Sequence, residues 1–428
     1  MTNSIQFVDR PPPRWRRRNL LAFIIISVIT VSTVLFFIYF LNPIEEKPDS
    51  SDDHPDFPTI YITCYETLDN ENYSRCIFEL DSEESSERID PLEAQIKIRG
   101  ETSATYPKVG YRIELSKGEP LLGMRDDDDW QIFASYYDYT RLKVKLSFNL
   151  WRNLLSTNNP TAILPRSRYV LLYFNGNYQG LYLLAEKNDR KLFGIDENSK
   201  TNDTDSSVIF QAKDYTNFTL YEKEKWEQDW PNEDEKFFVK DKILPPLIDF
   251  VNNSANSTFY HPQNGIYANF SEINLIDYFL FNFFILHGDF WDKNYFIVRN
   301  SHDTLFYLIP WDFDISFGQN ATIEYNNETI PTPEIHLKNR LYDRLLYNQT
   351  FRQNCTNRWN DLRTSIWSNA SISNTISNIY SECRPFIQQD LNLWKQSFNS
   401  EYYINQLKDW TLDRLEFCDV YFNNDFVL

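Results

Sequence analysis

The sequence predicts an α+β chain, with a strand-rich first half and a helical second half preceded by one transmembrane helix. Three observations predict it. An uncharged apolar run of 22 residues, Leu20–Leu41, lies near the N-terminus. Short apolar segments punctuated by turn signals then follow to about residue 187. Beyond residue 236 the apolar positions recur at helical period instead. Strands gathered first and helices after mark a segregated α+β chain, not alternating βαβ units.

Residues 1–19 are a basic tail carrying Arg14, Arg16, Arg17 and Arg18. The run at 20–41 would rise about 33 Å as a helix, enough to cross a hydrocarbon core of about 30 Å. It ends in bulky residues with no small-residue cleavage site, which marks an uncleaved signal anchor. Arginines before it and Glu45, Glu46, Asp49, Asp52 and Asp53 after it place the N-terminus in the cytosol. The expectation is a single-pass type II membrane protein whose C-terminal domain is lumenal or extracellular, in the Golgi or at the cell surface. Residues 42–57, rich in Pro and Asp, read as a stalk.

From 58 to 187 the strands predicted are Gln95–Arg99, Tyr111–Leu115, Trp130–Ala134, Arg168–Phe174 and Tyr178–Ala185. The last two flank Asn175-Gly176, a strong hairpin signal. One helix, Tyr139–Leu155, interrupts them. Residues 188–235 are polar and read as a long excursion opening the second part, 188–428. Helices are predicted at Phe237–Asn252, Ile273–Leu286, Arg340–Tyr347, Thr350–Trp367, Ser373–Phe398 and Ile404–Phe422, broken by strand-like Asn294–Val298 and Thr304–Leu308. The run Asp126–Asp129 lacks the alternation of a calcium loop and reads as a solvated turn.

Lumenal chemistry agrees with this topology. Acceptor triplets for N-glycosylation begin at Asn72, Asn202, Asn217, Asn252, Asn256, Asn269, Asn320, Asn327, Asn348, Asn354 and Asn369, all beyond the anchor. So are the five cysteines. Cys64 and Cys76 sit in adjacent strand-like runs and are expected to form a hairpin disulfide. Cys355, Cys383 and Cys418 allow one more pair and an odd thiol.

Composition removes other classes. A net charge of −19 repels phosphate backbones, so nucleic acid is excluded as a partner. The ten glycines include no G-x-G, and Gly118 with Gly123 is followed by Met124-Arg125 instead of the Lys-Ser/Thr of a P-loop. H-E-x-x-H, C-x-x-C and G-x-S-x-G are absent.

The chemistry concentrates in Ile285–Gly318. His287-Gly288-Asp289 with Asn294 repeats the H-x-D-x-x-x-x-N spacing of a kinase catalytic loop, and Asp312-Phe313-Asp314 follows where D-F-G would. Phosphoryl transfer needs a carboxylate for the acceptor hydroxyl's proton and oxygen ligands for the ion that neutralises the phosphates.

Further motifs, in order, widen this signal. Ile96–Ser103 with Tyr106-Pro107-Lys108 and Tyr111-Arg112-Ile113 is similar to an R-G-N-S-S … P-K-K-S-Y-R opening. Leu121–Met124, Asp129-Trp130 and Asp138-Tyr139-Thr140 follow, then Asn175–Tyr182 as N-G-x-Y-x-G-x-Y, then Pro310–Asp314 with Phe317-Gly318. Over roughly residues 92–422 the sequence resembles the CotH kinase family, named for spore coat protein H. The resemblance implies a divergent bilobal protein-kinase-like fold with ATP and Mg²⁺ or Mn²⁺ as cofactors. The implied acceptor is a protein Ser/Thr or glycan hydroxyl in the secretory pathway or at the cell surface.

On that resemblance Asp289 is the catalytic aspartate, Asn294 and Asp312 are metal ligands, and Asp314 is a further metal carboxylate. Lys108 is expected to contact phosphate. Glu186-Lys187, ending the fifth predicted strand, is expected to lie where a hinge meets adenine. Glu101 and Val109 replace the family's usual Asn and second Lys, and the Tyr139–Leu155 helix holds no acid to pair with a lysine. Two alternatives stay open: a non-catalytic surface-adhesion or coat protein on the same fold, and a type II glycosyltransferase using Asp312-Phe313-Asp314 as D-x-D.

Overall fold

Seven strands share one apolar face, and that face closes on itself. In the computed structural model, which describes residues 57–232, 237–288, 292–301, 304–318 and 338–426, they are β1 (Thr59–Cys64), β2 (Ser74–Asp81), β3 (Ile89–Arg99), β4 (Gly110–Pro120), β5 (Asp126–Phe133), β6 (Ser167–Phe174) and β7 (Asn177–Glu186). They form a closed barrel in the order β1-β2-β3-β4-β5-β7-β6, sealed by parallel pairing of β1 with β6. Inside lie Ile60, Ile62, Phe78, Leu80, Ile96, Ile113, Trp130, Ile132, Val170, Leu172 and Leu184. Closure removes the open edges that seven unpaired strands would present.

Two local features pin the register. Cys64 and Cys76 are cross-strand partners and form the expected disulfide, with Cα atoms 4.2 Å apart. Closing so short a loop contributes about 3 kcal/mol in the chain-entropy account. Asn175 (φ 47°) and Gly176 (φ 76°) make the β6–β7 turn, both in the left-handed region that a two-residue hairpin requires.

Strands β6 and β7 read as nearly continuous apolar runs because they are covered on both sides. Their outward residues Tyr169, Leu171, Leu181, Leu183 and Ala185 join a second, larger core. That core gathers helix α1 (Lys143–Asn153), α2 (Lys240–Asn253), α3 (Glu272–Phe284), α4 (Arg340–Tyr347), α5 (Gln349–Arg363), α6 (Asn369–Leu393) and α7 (Ser400–Val420). Helix α3 is apolar on every side and lies at its centre, buried from Asn274 to Phe284. Its buried polar groups are matched: Asp277 takes Arg358 through both oxygens, at 2.7 and 2.8 Å, and Asn274 bridges both backbone groups of Leu308. Residues 57–428 make one compact unit.

Several expectations are corrected. The polar stretch 188–235 carries two strands, β8 (Val208–Ala212) and β9 (Trp226–Trp230). These pair with β10 (Tyr295–Arg299) and β11 (Tyr307–Pro310) in an antiparallel sheet of order β11-β10-β8-β9. Five-residue strands separated by long polar loops leave little periodicity to detect. The first interior helix begins at Lys143, not Tyr139, because Asp138 and Thr140 form a turn ahead of it. Asp126–Asp129 belongs to β5, and Asp127 is buried between Arg125 and Lys191. Cys355, Cys383 and Cys418 are all unpaired, each buried in the helical core.

Among the described residues no helix is long and apolar enough to cross a membrane. The expected anchor at 20–41, the basic tail and nearly all of the stalk lie outside the described residues, as do Asn320 and Asn327. Asn72, Asn202, Asn256 and Asn369 are exposed, and Asn217, Asn252, Asn269, Asn348 and Asn354 are half-buried.

Candidate active site

The end of α3 is tied to the Asp312 turn by a set of short backbone links. His287 Nδ1 lies 3.1 Å from Asn282 Oδ1, and its Nε2 lies 2.7 Å from the carbonyl of Asp312. Gly288 donates to the carbonyl of Ile315 and Phe317 to that of Ile285. A Cβ at Gly288 would stand 2.8 Å from Ile315 Cγ2, so glycine lets the two segments meet. The next residue, Asp289, lies outside the described residues.

The β10–β11 hairpin completes the arrangement. Trp311 donates to the carbonyl of Asn294 at 2.8 Å, which brings Asn294 beside the residue preceding Asp312. Asn294 (φ 60°) and Asp312 (φ 62°) both hold left-handed backbone, a conformation that clusters at functional sites. Asp312 and Asp314 are exposed, while Phe313 between them is buried against Phe148, Phe281 and His287. The alternation D-F-D thus buries one ring and presents two carboxylates.

Those carboxylates face cations that sequence reasoning did not assign. Arg99, at the end of β3, lies over the Phe133 ring at 3.9 Å. Burial pushes its guanidinium down to about 10, against the attraction of Asp312 and Asp314. Lys143, at the start of α1, is fully buried and donates to the carbonyl of Ser316 at 3.1 Å. Burial pushes its amine down to about 8, opposed by Asp138 and Asp314. Arg99 stands inside the Ile96–Ser103 motif, so the signal was present. What was missing is which face of β3 it occupies.

A cleft of about 650 Å³ runs from this point, a size suited to a nucleotide. One wall is the outer face of the barrel, with Arg99, Arg112 and Gln131, and Lys187 just after β7. The other is the second sheet, with Gln211, Glu227, Asp229 and Phe296, and Trp311 stands at the Asp312 end. Burial beside Glu227 pushes the Asp229 carboxyl up to about 7, partly offset by Arg112 and Lys187.

The expected hinge divides into two roles. Lys187 lines the cleft and pairs with Asp129 at 3.0 Å. Glu186 does not: its oxygens accept from the backbone N–H groups of Arg125 and Arg166, and it is 3% exposed. Lys108 is also away from the cleft. It is fully buried, bonded to Asp390 at 2.8 Å and to the carbonyl of Leu181 at 2.5 Å. Arg141 Nε reaches the other Asp390 oxygen at 2.7 Å. Its acidic partner therefore comes from α6, some 280 residues along the chain, and not from α1. Gly180 (φ 93°) makes room, since a Cβ there would sit 2.1 Å from Asp390 Oδ1. That packing explains the second glycine of N-G-x-Y-x-G-x-Y.

Mg²⁺ is commonly held by one or two carboxylates together with substrate phosphates. Asp312 and Asp314 are exposed carboxylates and Asn294 a neighbouring carboxamide, oxygen donors of the type such an ion takes. Among the described residues no group of three or more His, Cys, Asp or Glu could hold a metal alone, so phosphate oxygens would complete the shell.

Comparison with known proteins gives a family model described as CotH kinase protein, matching residues 96–418. Inner spore coat protein H of Bacillus subtilis (strain 168) is 21% identical over 311 residues, covering 70% of this chain and 79% of that protein.

Proposed function

The chain belongs to the CotH kinase family, and on that premise we propose that it is an ATP-dependent phosphotransferase acting on a hydroxyl of a protein Ser/Thr or of a glycan. The observation that carries this reading is a nucleotide-sized cleft lined by Arg99 and by Trp311, the residue before Asp312, with Arg99 within electrostatic reach of Asp312 and Asp314. The barrel and the helical body are then the two lobes of a divergent kinase-like fold, with Lys187 on the connection between them. Arg99 and Arg112 take the role expected of Lys108 and face the phosphates. Asn294, Asp312 and Asp314 hold Mg²⁺ or Mn²⁺, which when bound supplies charge neutralisation at the phosphate oxygens. Asp289 accepts the proton of the incoming hydroxyl. Exclusion of water falls to Phe296 and Trp311 at the cleft wall.

The purified full chain is expected to bind ATP in the presence of Mg²⁺ or Mn²⁺, and not a UDP-sugar, by calorimetry. It should then label an acceptor hydroxyl. Absence of any ATP binding or thermal shift would leave the family's non-catalytic coat or adhesion role, whereas UDP-sugar binding would favour the D-x-D transferase.

The same proposal places the enzyme in the secretory route through the anchor at 20–41, with residues 58–428 lumenal. Protein expressed in eukaryotic cells is expected to gain mobility on endoglycosidase treatment. An unshifted band, with the bulk domain cleaved by protease added to intact microsomes, refutes the topology.

A further inference from the structure

We infer that Asn188 reads the nucleobase, an assignment that rests on the phosphotransferase proposal and extends it to base selection. Asn188 follows Lys187 at the exit of β7 and lines the cleft. It is 6% exposed, yet neither its Oδ1 nor its Nδ2 has a hydrogen-bond partner. A carboxamide that has lost water on both atoms and gained nothing works against the folded chain. Its chain neighbours are satisfied, although Arg125 beside them keeps Nε and Nη1 unmatched. Glu186 takes two backbone N–H groups, the Lys187 carbonyl accepts from Arg125, and Asp189 accepts from Leu192 and pairs with Arg125. The unmatched pair is one acceptor beside one donor.

That pair selects the ligand's chemistry. Phosphate oxygens accept only, and would match Nδ2 alone. The 6-amino group of adenine with its adjacent ring nitrogen offers a donor beside an acceptor, and a carboxamide engages both at once. The spacing along β5 agrees. Arg99 covers Phe133, Arg112 is registered with Gln131, and Lys187 pairs with Asp129. Four residues of strand separate the Arg99 end from the Lys187 end, about 13 Å. An extended nucleoside triphosphate spans that distance, with its phosphates at Arg99 and its base at Asn188.

The test titrates the full chain with Mg²⁺ and three probes: ATP, purine riboside triphosphate, which lacks the 6-amino group, and tripolyphosphate. Wild type is expected to prefer ATP to the deamino analogue by about tenfold, a comparison that needs no variant. Asn188→Leu, close in volume, is expected to weaken ATP about ten- to a hundredfold and the analogue by less, with tripolyphosphate unchanged. The ligand-free variant should melt no lower than wild type, because leucine removes two unmatched polar atoms. Equal ATP affinity in the two proteins overturns the inference. So does a parallel loss for tripolyphosphate, or a lowered melting point, either of which makes Asn188 structural. Wild type that binds tripolyphosphate and ATP equally also ends base reading, while the phosphate end of the cleft survives. Wild type that binds neither ends the phosphotransferase proposal and this inference together.

Discussion

Asp312→Ala is expected to lower metal-dependent ATP affinity roughly a hundredfold or more, while Asp289→Ala leaves binding nearly intact and slows transfer roughly a hundred- to ten-thousandfold. The contrast follows from what each carboxylate meets. Asp312 is held by a left-handed backbone turn beside Asn294 and within the field of Arg99. Removing it takes away a negative oxygen that would hold the metal ion, and with it the charge that would offset the phosphates, so nucleotide and metal are expected to be lost together. Asp289 sits in the H-G-D-x-x-x-x-N segment, and its expected partner is the acceptor hydroxyl, which is absent when only nucleotide binds. Calorimetry with ATP and a single-turnover transfer assay separate the two effects, and a circular-dichroism melt shows that each variant is folded. Equal losses of binding in both variants refute the division of roles. If Asp289→Ala transfers at the wild-type rate, the catalytic assignment moves to Asp314 or Asp292.

Asp390→Ala is expected to cost about 3–5 kcal/mol of stability, because it strands the buried Arg141 guanidinium and leaves the Lys108 amine without its acceptor. Lys108 and Arg141 both end on this carboxylate, and all three side chains are almost wholly enclosed. Lys108→Met should cost much less, since Asp390 keeps Arg141 and the backbone N–H of Leu181 at 2.9 Å. Burial pushes the Lys108 amine down to about 7, opposed by Asp390 and assisted by Arg141. The folded chain therefore releases this proton near neutrality, while the unfolded chain holds it to roughly 10.4. In that window the unfolded state binds more protons, so stability rises as pH climbs from about 7 towards 10. Lys108→Met should remove that slope. Denaturant melts of the three proteins at pH 7 and pH 9 measure both quantities. A Lys108→Met loss as large as that of Asp390→Ala would contradict the asymmetry. A lysine whose donors are committed to Asp390 and Leu181, joining barrel to helix α6, has none free for a phosphate.

Much of this protein is legible in short stretches of its sequence. Strands such as β2 and β4 alternate because one face is inside and one outside, and β6 and β7 lose the alternation because both of their faces are covered. The Cys64–Cys76 bridge follows from two short runs and a turn, which is local information. The family and its ordered motifs lie in short continuous stretches. Asn294 and Asp312 are brought together by a single hairpin, so their pairing also needs little long-range knowledge.

Local pattern is therefore enough for most barrel strands and the long helices, the disulfide and the family. Which cation serves which carboxylate was settled only by long-range packing. Lys108 and Arg99 both precede or end strands near a turn, and nothing local distinguishes them. Asp390 comes from a helix more than 280 positions away and takes Lys108 into the interior, which leaves Arg99 to face Asp312. The second sheet was hidden for the same reason, since β8 and β9 are stabilised by β10 and β11 and not by their own pattern. A charged side chain's role depends on the low-dielectric surroundings that distant segments build around it, and those surroundings exist only once the chain has folded.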